Sequence, residues 1–167
     1  MARCRWPTRH LSTARGSPIS LRNASRRPKR SEATAAIWKT STVVKILALL
    51  AEQHAAAARP LRALLLAPTG KAGMGLSESI RRAKGEIACS DAIREAIPEE
   101  ASTIHRALGS IEGSSTRFRH DRTHPLRADV VLADEASMVD LALMTRLVDA
   151  VPETARLILL GDKDQLA

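Results

Sequence analysis

The sequence predicts an α/β protein, a parallel sheet with helices on both faces. Three short apolar runs point to it: Arg62–Ala67 (Arg-Ala-Leu-Leu-Leu-Ala), Ala128–Ala133 (Ala-Asp-Val-Val-Leu-Ala) and Ala155–Leu160. Each has the length and composition of a strand buried on both sides, rather than the alternating pattern of a half-exposed one. Segments with helical periodicity separate them, and strand–helix alternation of this kind builds a parallel sheet.

Thr40 to about His54 reads as a helix, because Val43, Val44, Leu47 and Leu50 make one apolar stripe. Arg59-Pro60 ends it. The first strand follows, and then a helix over residues 71–83. Asp91–Ala96 and Ser102–Leu108 read as short helices. Residues 112–127 are polar and loop-like, with room for a small hairpin. After the second strand, Val139–Ala150 reads as a helix that stops at Pro152.

The chain has 167 residues, enough for one domain with a core, and its apolar fraction of 44% is ordinary. No apolar run approaches the roughly 18–20 residues of a membrane span. Cys4 and Cys89 fit no metal spacing or disulfide framework, and point to a reducing, cytoplasmic setting. The net charge of +8 is uneven. Residues 1–38 hold nine Lys or Arg and one acid, whereas residues 39–167 hold 17 basic and 17 acidic residues. The body therefore gives no global electrostatic reason to bind nucleic acid, and any such contact must be local.

The head, 1–38, shows no sustained periodicity and is expected to be a disordered basic segment. Three readings are open for it: a basic arm for nucleic acid, an organelle targeting segment, or non-native sequence from a shifted frame or mis-assigned start. The third is preferred, for a reason that lies at Lys39.

Lys39-Thr40 matches the end of a phosphate loop, Gly, four residues, then Gly-Lys-Ser/Thr, in which the lysine meets phosphate and the hydroxyl meets Mg²⁺. Such a loop opens a helix and lends its backbone amides to the anion. The rest of the pattern fails: Ala33 and Trp38 stand where the glycines belong. Asp134-Glu135 follows the second strand, at the strand end where α/β sheets bind ligands. There the first acid can hold Mg²⁺ and the second can act as general base on water. Equally, Asp134, Glu135 or Ser137 can serve as a helix N-cap. Gln165, after the third strand, can sense a terminal phosphate, or lie in a plain polar turn. Pro68-Thr69-Gly70-Lys71 can grip a nucleic-acid phosphate, or punctuate a strand-to-helix turn. Thr103 and His105 are polar residues on a short helix, and a lone histidine is more often structural.

In order along the chain, four segments resemble the RecD family, the alpha subunit of exodeoxyribonuclease V, within superfamily-1 helicases. They are Leu66-Ala67-Pro68-Thr69-Gly70-Lys71-Ala72 (motif Ia), Ala101-Ser102-Thr103-Ile104-His105-Arg106-Ala107-Leu108-Gly109, Ala133-Asp134-Glu135-Ala136-Ser137-Met138-Val139-Asp140 (motif II) and Leu159-Leu160-Gly161-Asp162-Lys163-Asp164-Gln165-Leu166 (motif III). The resemblance covers Lys39 to Ala167. It implies an incomplete P-loop NTPase, RecA-like motor domain over 39–167 that belongs to an ATP-dependent 5′-to-3′ DNA helicase of a RecBCD-type exonuclease, active in double-strand break repair and recombination. It implies ATP and Mg²⁺ as cofactors. Lys39 and Thr40 would meet phosphate and Mg²⁺, Asp134 would hold Mg²⁺, Glu135 would activate water, and Gln165 would couple nucleotide to DNA. Pro68, Thr69, Gly70, Lys71, Thr103 and His105 would line the path of single-stranded DNA. The partners implied are the beta and gamma exonuclease subunits, although standalone RecD-like helicases exist, and other superfamily-1 helicases share motifs Ia, II and III.

Two departures shape the expectation. The family pattern asks for Gly-Gly-Pro-Gly-Thr-Gly before Lys39, and the match stops abruptly there, which favours a shifted frame. The chain also stops at Ala167, before any second motor domain with its transition-state arginine, a contribution of roughly 10³–10⁵ in rate. The chain is therefore expected to be inactive alone. The competing classes are a non-catalytic DNA-binding or docking fragment, and a gene remnant without function.

Overall fold

The computed structural model describes residues 32–111 and 117–161, the side chains of residues 32–39 excepted. The elements are α1 (Glu32–Ala56), β1 (Ala63–Ala67), α2 (Gly70–Glu86), α3 (Asp91–Ala96), β2 (Ala101–Thr103), α4 (Ile104–Leu108), β3 (Val130–Ala133), a 3-10 turn (Ala136–Met138), α5 (Leu141–Ala150) and β4 (Arg156–Leu159). The four strands form one parallel sheet in the order β2-β1-β3-β4.

Burial alternates along the strands and assigns each face its helices. Leu65, Val130 and Leu132 point to one side, where Val43, Val44 and Leu47 of α1, Leu76 and Ile80 of α2 and Ile93 of α3 cover them. Leu66, Val131 and Ala133 point to the other, against Ile104 and Leu108 of α4 and Leu143 and Leu147 of α5. Both faces being covered explains why β1 and β3 read as continuous apolar runs.

Four local expectations change. First, α1 does not open at Lys39-Thr40 but begins at Glu32. Ala33-Thr34-Ala35-Ala36-Ile37 holds neither glycine nor proline, so nothing stops the helix from running back. Second, Ala101–Thr103 is a strand rather than the start of a helix. It pairs with Leu65–Ala67. Thr103 stays extended, with φ −76° and ψ 149°, and caps α4 with its hydroxyl. Third, the helix expected over Val139–Ala150 starts two residues later. Val139 is extended, and α5 starts at Leu141 behind Asp140, whose carboxylate accepts from the Leu143 amide at 2.9 Å. Asp140 is thus the cap of α5. Fourth, residues 112–116 of the expected loop lie outside the described residues, and an isolated antiparallel bridge joins Ser110 to Phe118 on either side of them.

Glycine matters at the end of α4. Gly109 has φ +71°, and a Cβ there would meet the Arg119 side chain at 3.1 Å. Its amide closes the helix onto the Arg106 carbonyl, a left-handed end that glycine makes without steric cost.

At the N-terminal pole of the sheet, Asp129 ties β1 to β3. It accepts from the Arg62 amide at 2.9 Å and from the Arg62 guanidinium at 3.1 Å on each oxygen. The paired hydrogen bonds from Arg62 hold the Asp129 carboxyl below the usual carboxylate range. At the far side, Lys84 is buried and its ammonium donates to the Ile97 carbonyl at 2.8 Å and to Glu99 at 2.7 Å. That hydrogen bond lowers the Glu99 pKa. Asp121 falls to about 2, because the Thr123 hydroxyl and the Thr123 and His124 amides all donate to it.

All three shifts share a sign. A depressed carboxyl stabilises the fold above its unfolded value, about 3.9–4.3 for Asp and Glu, and loses that contribution as pH falls through the folded value. Stability should therefore decline as pH falls below about 4. Asp129→Asn should melt a few degrees lower than wild type at pH 7, and its melting temperature should vary less with pH between 2 and 4, as about one carboxyl no longer titrates. Parallel melting curves across that interval would disprove a structural role for the Arg62 pair.

Candidate nucleotide and DNA site

Parallel pairing places the C-terminal ends of β1, β3 and β4 side by side, and the functional candidates follow those ends. Asp134 and Glu135 leave β3 in the middle. The Asp134 amide donates to the Leu66 carbonyl of β1 at 2.9 Å, and the Ala136 amide to Leu160 beyond β4 at 2.7 Å. The acidic pair is thereby tied on one side to the strand that leads into Pro68–Lys71 and on the other to the Leu160-Gly161 turn.

Asp134 is half-buried, and one of its oxygens accepts from the Glu135 amide at 2.9 Å. That bond fixes the carboxylate and leaves the second oxygen without a hydrogen bond among the described residues. Glu135 has φ 51° and ψ 37°, left-handed backbone for a non-glycine residue. It makes no side-chain capping bond to the 3-10 turn, so capping, which fits its position, is not what its carboxylate does. Ser137 does not cap α5 either. Its hydroxyl oxygen is buried without a partner among the described residues, and it packs near the Cβ position of Gly161. The sequence held no signal for that environment, since the contact with Gly161 comes from sheet order.

The motif Ia turn is built by capping. Thr69 is extended, and its hydroxyl oxygen accepts from the Ala72 amide at 3.2 Å. A hydroxyl that accepts in this way still has its own proton to donate. Thr69, Gly70 and Lys71 are exposed and Pro68 is half-buried. A Cβ built on Gly70 meets nothing within 4 Å, so the backbone there faces open space. Thr103 repeats the device at the end of β2, accepting from the Arg106 amide at 3.2 Å. Because β1 and β2 are parallel neighbours, with Ala67 opposite Thr103, the two threonine caps stand at the same pole of the sheet. A hollow lined by Gly70, Gly73, Ser77, Ser102, Thr103 and Arg106 runs between α2 and β2. His105 is exposed, and its ring lies 5.9 Å from that of Phe118 at 57°.

Lys39 and Thr40 lie in the first half of α1. The Lys39 side chain and all of Gln165 lie outside the described residues. Among the described residues, no cluster of three or more His, Cys, Asp or Glu could hold a metal by itself.

A nucleotide with Mg²⁺ asks for two things here, and the two give different answers. A carboxylate with a free oxygen at the strand end is present in Asp134, as a hydrated cation requires. A cradle of free backbone amides ahead of the lysine is not. Residues 33–40 are continuous α-helix, and from about residue 36 onward, directly ahead of the lysine, the amides donate to the carbonyl four residues back. The residues ahead of Lys39 therefore do not fit a phosphate loop.

The AAA domain family matches residues 32–167. Over 132 residues the chain is 48% identical to the RecBCD enzyme subunit RecD of Mycolicibacterium smegmatis, covering 77% of this chain and 23% of that protein. It is 41% identical to the RecBCD enzyme subunit RecD of Haemophilus influenzae, over 77% of this chain and 20% of that protein. It is 39% identical to the ATP-dependent RecD2 DNA helicase of Deinococcus radiodurans, over 75% of this chain and 14% of that protein. The chain thus spans less than a quarter of the length of these relatives. No helix of the described residues is long and apolar enough to cross a membrane.

The left-handed backbone at Glu135 costs a non-glycine residue roughly 1–2 kcal/mol. Asparagine tolerates that conformation better. Glu135→Asn should therefore raise the melting temperature, by about 2–4 °C, while removing the carboxylate. A fall in melting temperature would show that the Glu135 side chain stabilises the turn it distorts.

Proposed function

Because this chain belongs to the AAA domain family, on its RecD helicase branch, we propose that residues 39–167 form the first motor domain of a 5′-to-3′ DNA helicase subunit. In this reading it works in a RecBCD-type exonuclease for double-strand break repair and recombination, with the beta and gamma subunits as partners. The observation that supports it most is the meeting of Pro68–Lys71, Asp134-Glu135 and Leu160-Gly161 along one sheet edge, fixed by the order β2-β1-β3-β4. By the family pattern Asp134 and Thr40 would hold Mg²⁺, Lys39 would meet phosphate, Glu135 would orient water and Gln165 would relay nucleotide state, but with residues 33–38 helical only the Asp134 part of that arrangement keeps its geometry in this chain. Single-stranded DNA crosses Pro68, Thr69, Gly70 and Lys71, then Thr103 and His105. The two capping hydroxyls donate to its phosphates, and the open backbone at Gly70 admits close approach.

The continuous helix through 33–38 favours a second reading for the chain as it stands, a DNA-binding element without turnover. Steady-state ATP hydrolysis with saturating single-stranded DNA should stay near background, and DNA-stimulated turnover of about one per second or faster would refute this.

The DNA path has its own test. Lys71→Ala should weaken binding of a short oligothymidylate, and its salt dependence should become shallower by about one phosphate contact. Unchanged affinity and unchanged salt dependence would remove the motif Ia turn from the path.

A further inference from the structure

Two more hollows adjoin the one between α2 and β2, and they lead away from the nucleotide edge. The middle hollow, about 430 Å³, shares Ser102 and Arg106 with its neighbour above. It opens because β2 is only three residues long and pairs with Leu65–Ala67, leaving Ala63 and Leu64 uncovered on that flank. The lower hollow, about 550 Å³, shares His120, Leu126 and Arg127 with the middle one. It lies at the N-terminal pole, between Arg59-Arg62 and the Pro152–Thr154 turn.

The charge along these walls departs from the neutral balance of the body. Arg59, Arg62, Arg106 and Arg127 line the two hollows, against the carboxylates Glu100 and Asp129. Asp129 is engaged by Arg62, and Arg59 reaches it only at 3.9 Å while remaining 67% exposed. Arg106 and Arg127 are exposed, with no side-chain partner among the described residues. The wall itself is firm. Asp121 binds the Thr123 and His124 amides, His120 Nδ1 stands 3.1 Å from the His124 carbonyl, and the Leu126 amide donates to Ala150 at 2.8 Å. Two unpaired guanidinium groups, with Arg59 held only by its long contact to Asp129, line a fixed concave wall that suits a chain of phosphates, with no base-reading geometry required.

We infer that this flank is a second nucleic-acid tract, in which Arg106, Arg127 and Arg59 carry the phosphate backbone of a single strand from the Thr69–Thr103 caps down the β2 flank to the N-terminal pole. The inference rests on the DNA path proposed above and extends it by about the length of β1, roughly 16 Å. Continuity with that path through shared walls favours nucleic acid over an acidic protein segment.

The test compares full-length wild type, Arg59→Gln/Arg127→Gln and Lys71→Ala, by fluorescence anisotropy with oligothymidylates of about 6 and about 15 nucleotides across a salt series. Arg59 and Arg127 are exposed, and matching melting curves would confirm that the double variant folds. The double variant should bind the shorter oligonucleotide like wild type. Its affinity for the longer one should fall about tenfold, with a salt slope shallower by about 0.7 per arginine. Equal affinity of wild type and double variant for the longer oligonucleotide overturns the tract. If Lys71→Ala still weakens the shorter one, the upper path survives that failure. If wild type binds neither oligonucleotide, both proposals fall. If poly-glutamate binds through Arg59 and Arg127 while the longer oligonucleotide is unaffected by their loss, the flank docks an acidic protein and the tract is again overturned.

Discussion

Everything in this molecule is organised around β3, a strand of four residues buried on both faces and held between β1 and β4 in parallel register. Burial on both sides demands that all its polar backbone groups be paired within the sheet, since neither face offers water. Parallel pairing then brings the ends of three strands to one pole. The carboxylates of Asp134 and Glu135 emerge at the first position where the chain leaves the sheet, and so the chemistry of the site is a consequence of sheet geometry. Neighbouring segments far apart in sequence, Pro68–Lys71 and Leu160-Gly161, arrive beside them because their strands flank β3.

The sequence displayed this sheet clearly at β1, β3 and β4, where leucine and valine runs carry the signal. It concealed β2. Ala101-Ser102-Thr103 is too short and too polar to show a period, and Thr103 ends the strand while capping the next helix, so the segment reads as helical. Asp140 was equally hard to see, because Ser137 and Asp134 precede it with the same capping chemistry. Only the extended backbone at Val139 decides between them. At the site, the acids and the motif Ia turn could be named from residue type and position after a strand. The left-handed Glu135, the buried Ser137 hydroxyl and the guanidinium groups of Arg106 and Arg127 could not. Each depends on contacts across the fold, with no local pattern to announce it.

The start of α1 shows how backbone conformation decides a function that side chains alone suggest. Lys39 and Thr40 are the right residue types for phosphate and metal, yet the Ala-rich stretch before them keeps the chain helical. A phosphate site of this kind is made chiefly of amide hydrogens, which only glycine-rich geometry turns outward. Substituting residues that favour helix closes those groups on themselves without touching the lysine. Asp134 is unaffected, because it is positioned by β3 and by the Glu135 amide. The two halves of a nucleotide site thus depend on different parts of the fold, and one can lose its geometry while the other keeps it.

At the opposite end of the sheet order, β4 is an edge strand among the described residues, with Leu159 48% exposed and Arg156 open to solvent. Its outward amides and carbonyls form a template for one more strand, whichever chain supplies it. An edge of this kind accepts whichever strand is laid against it, and within β4 Arg156 is the one charged residue that would select among them.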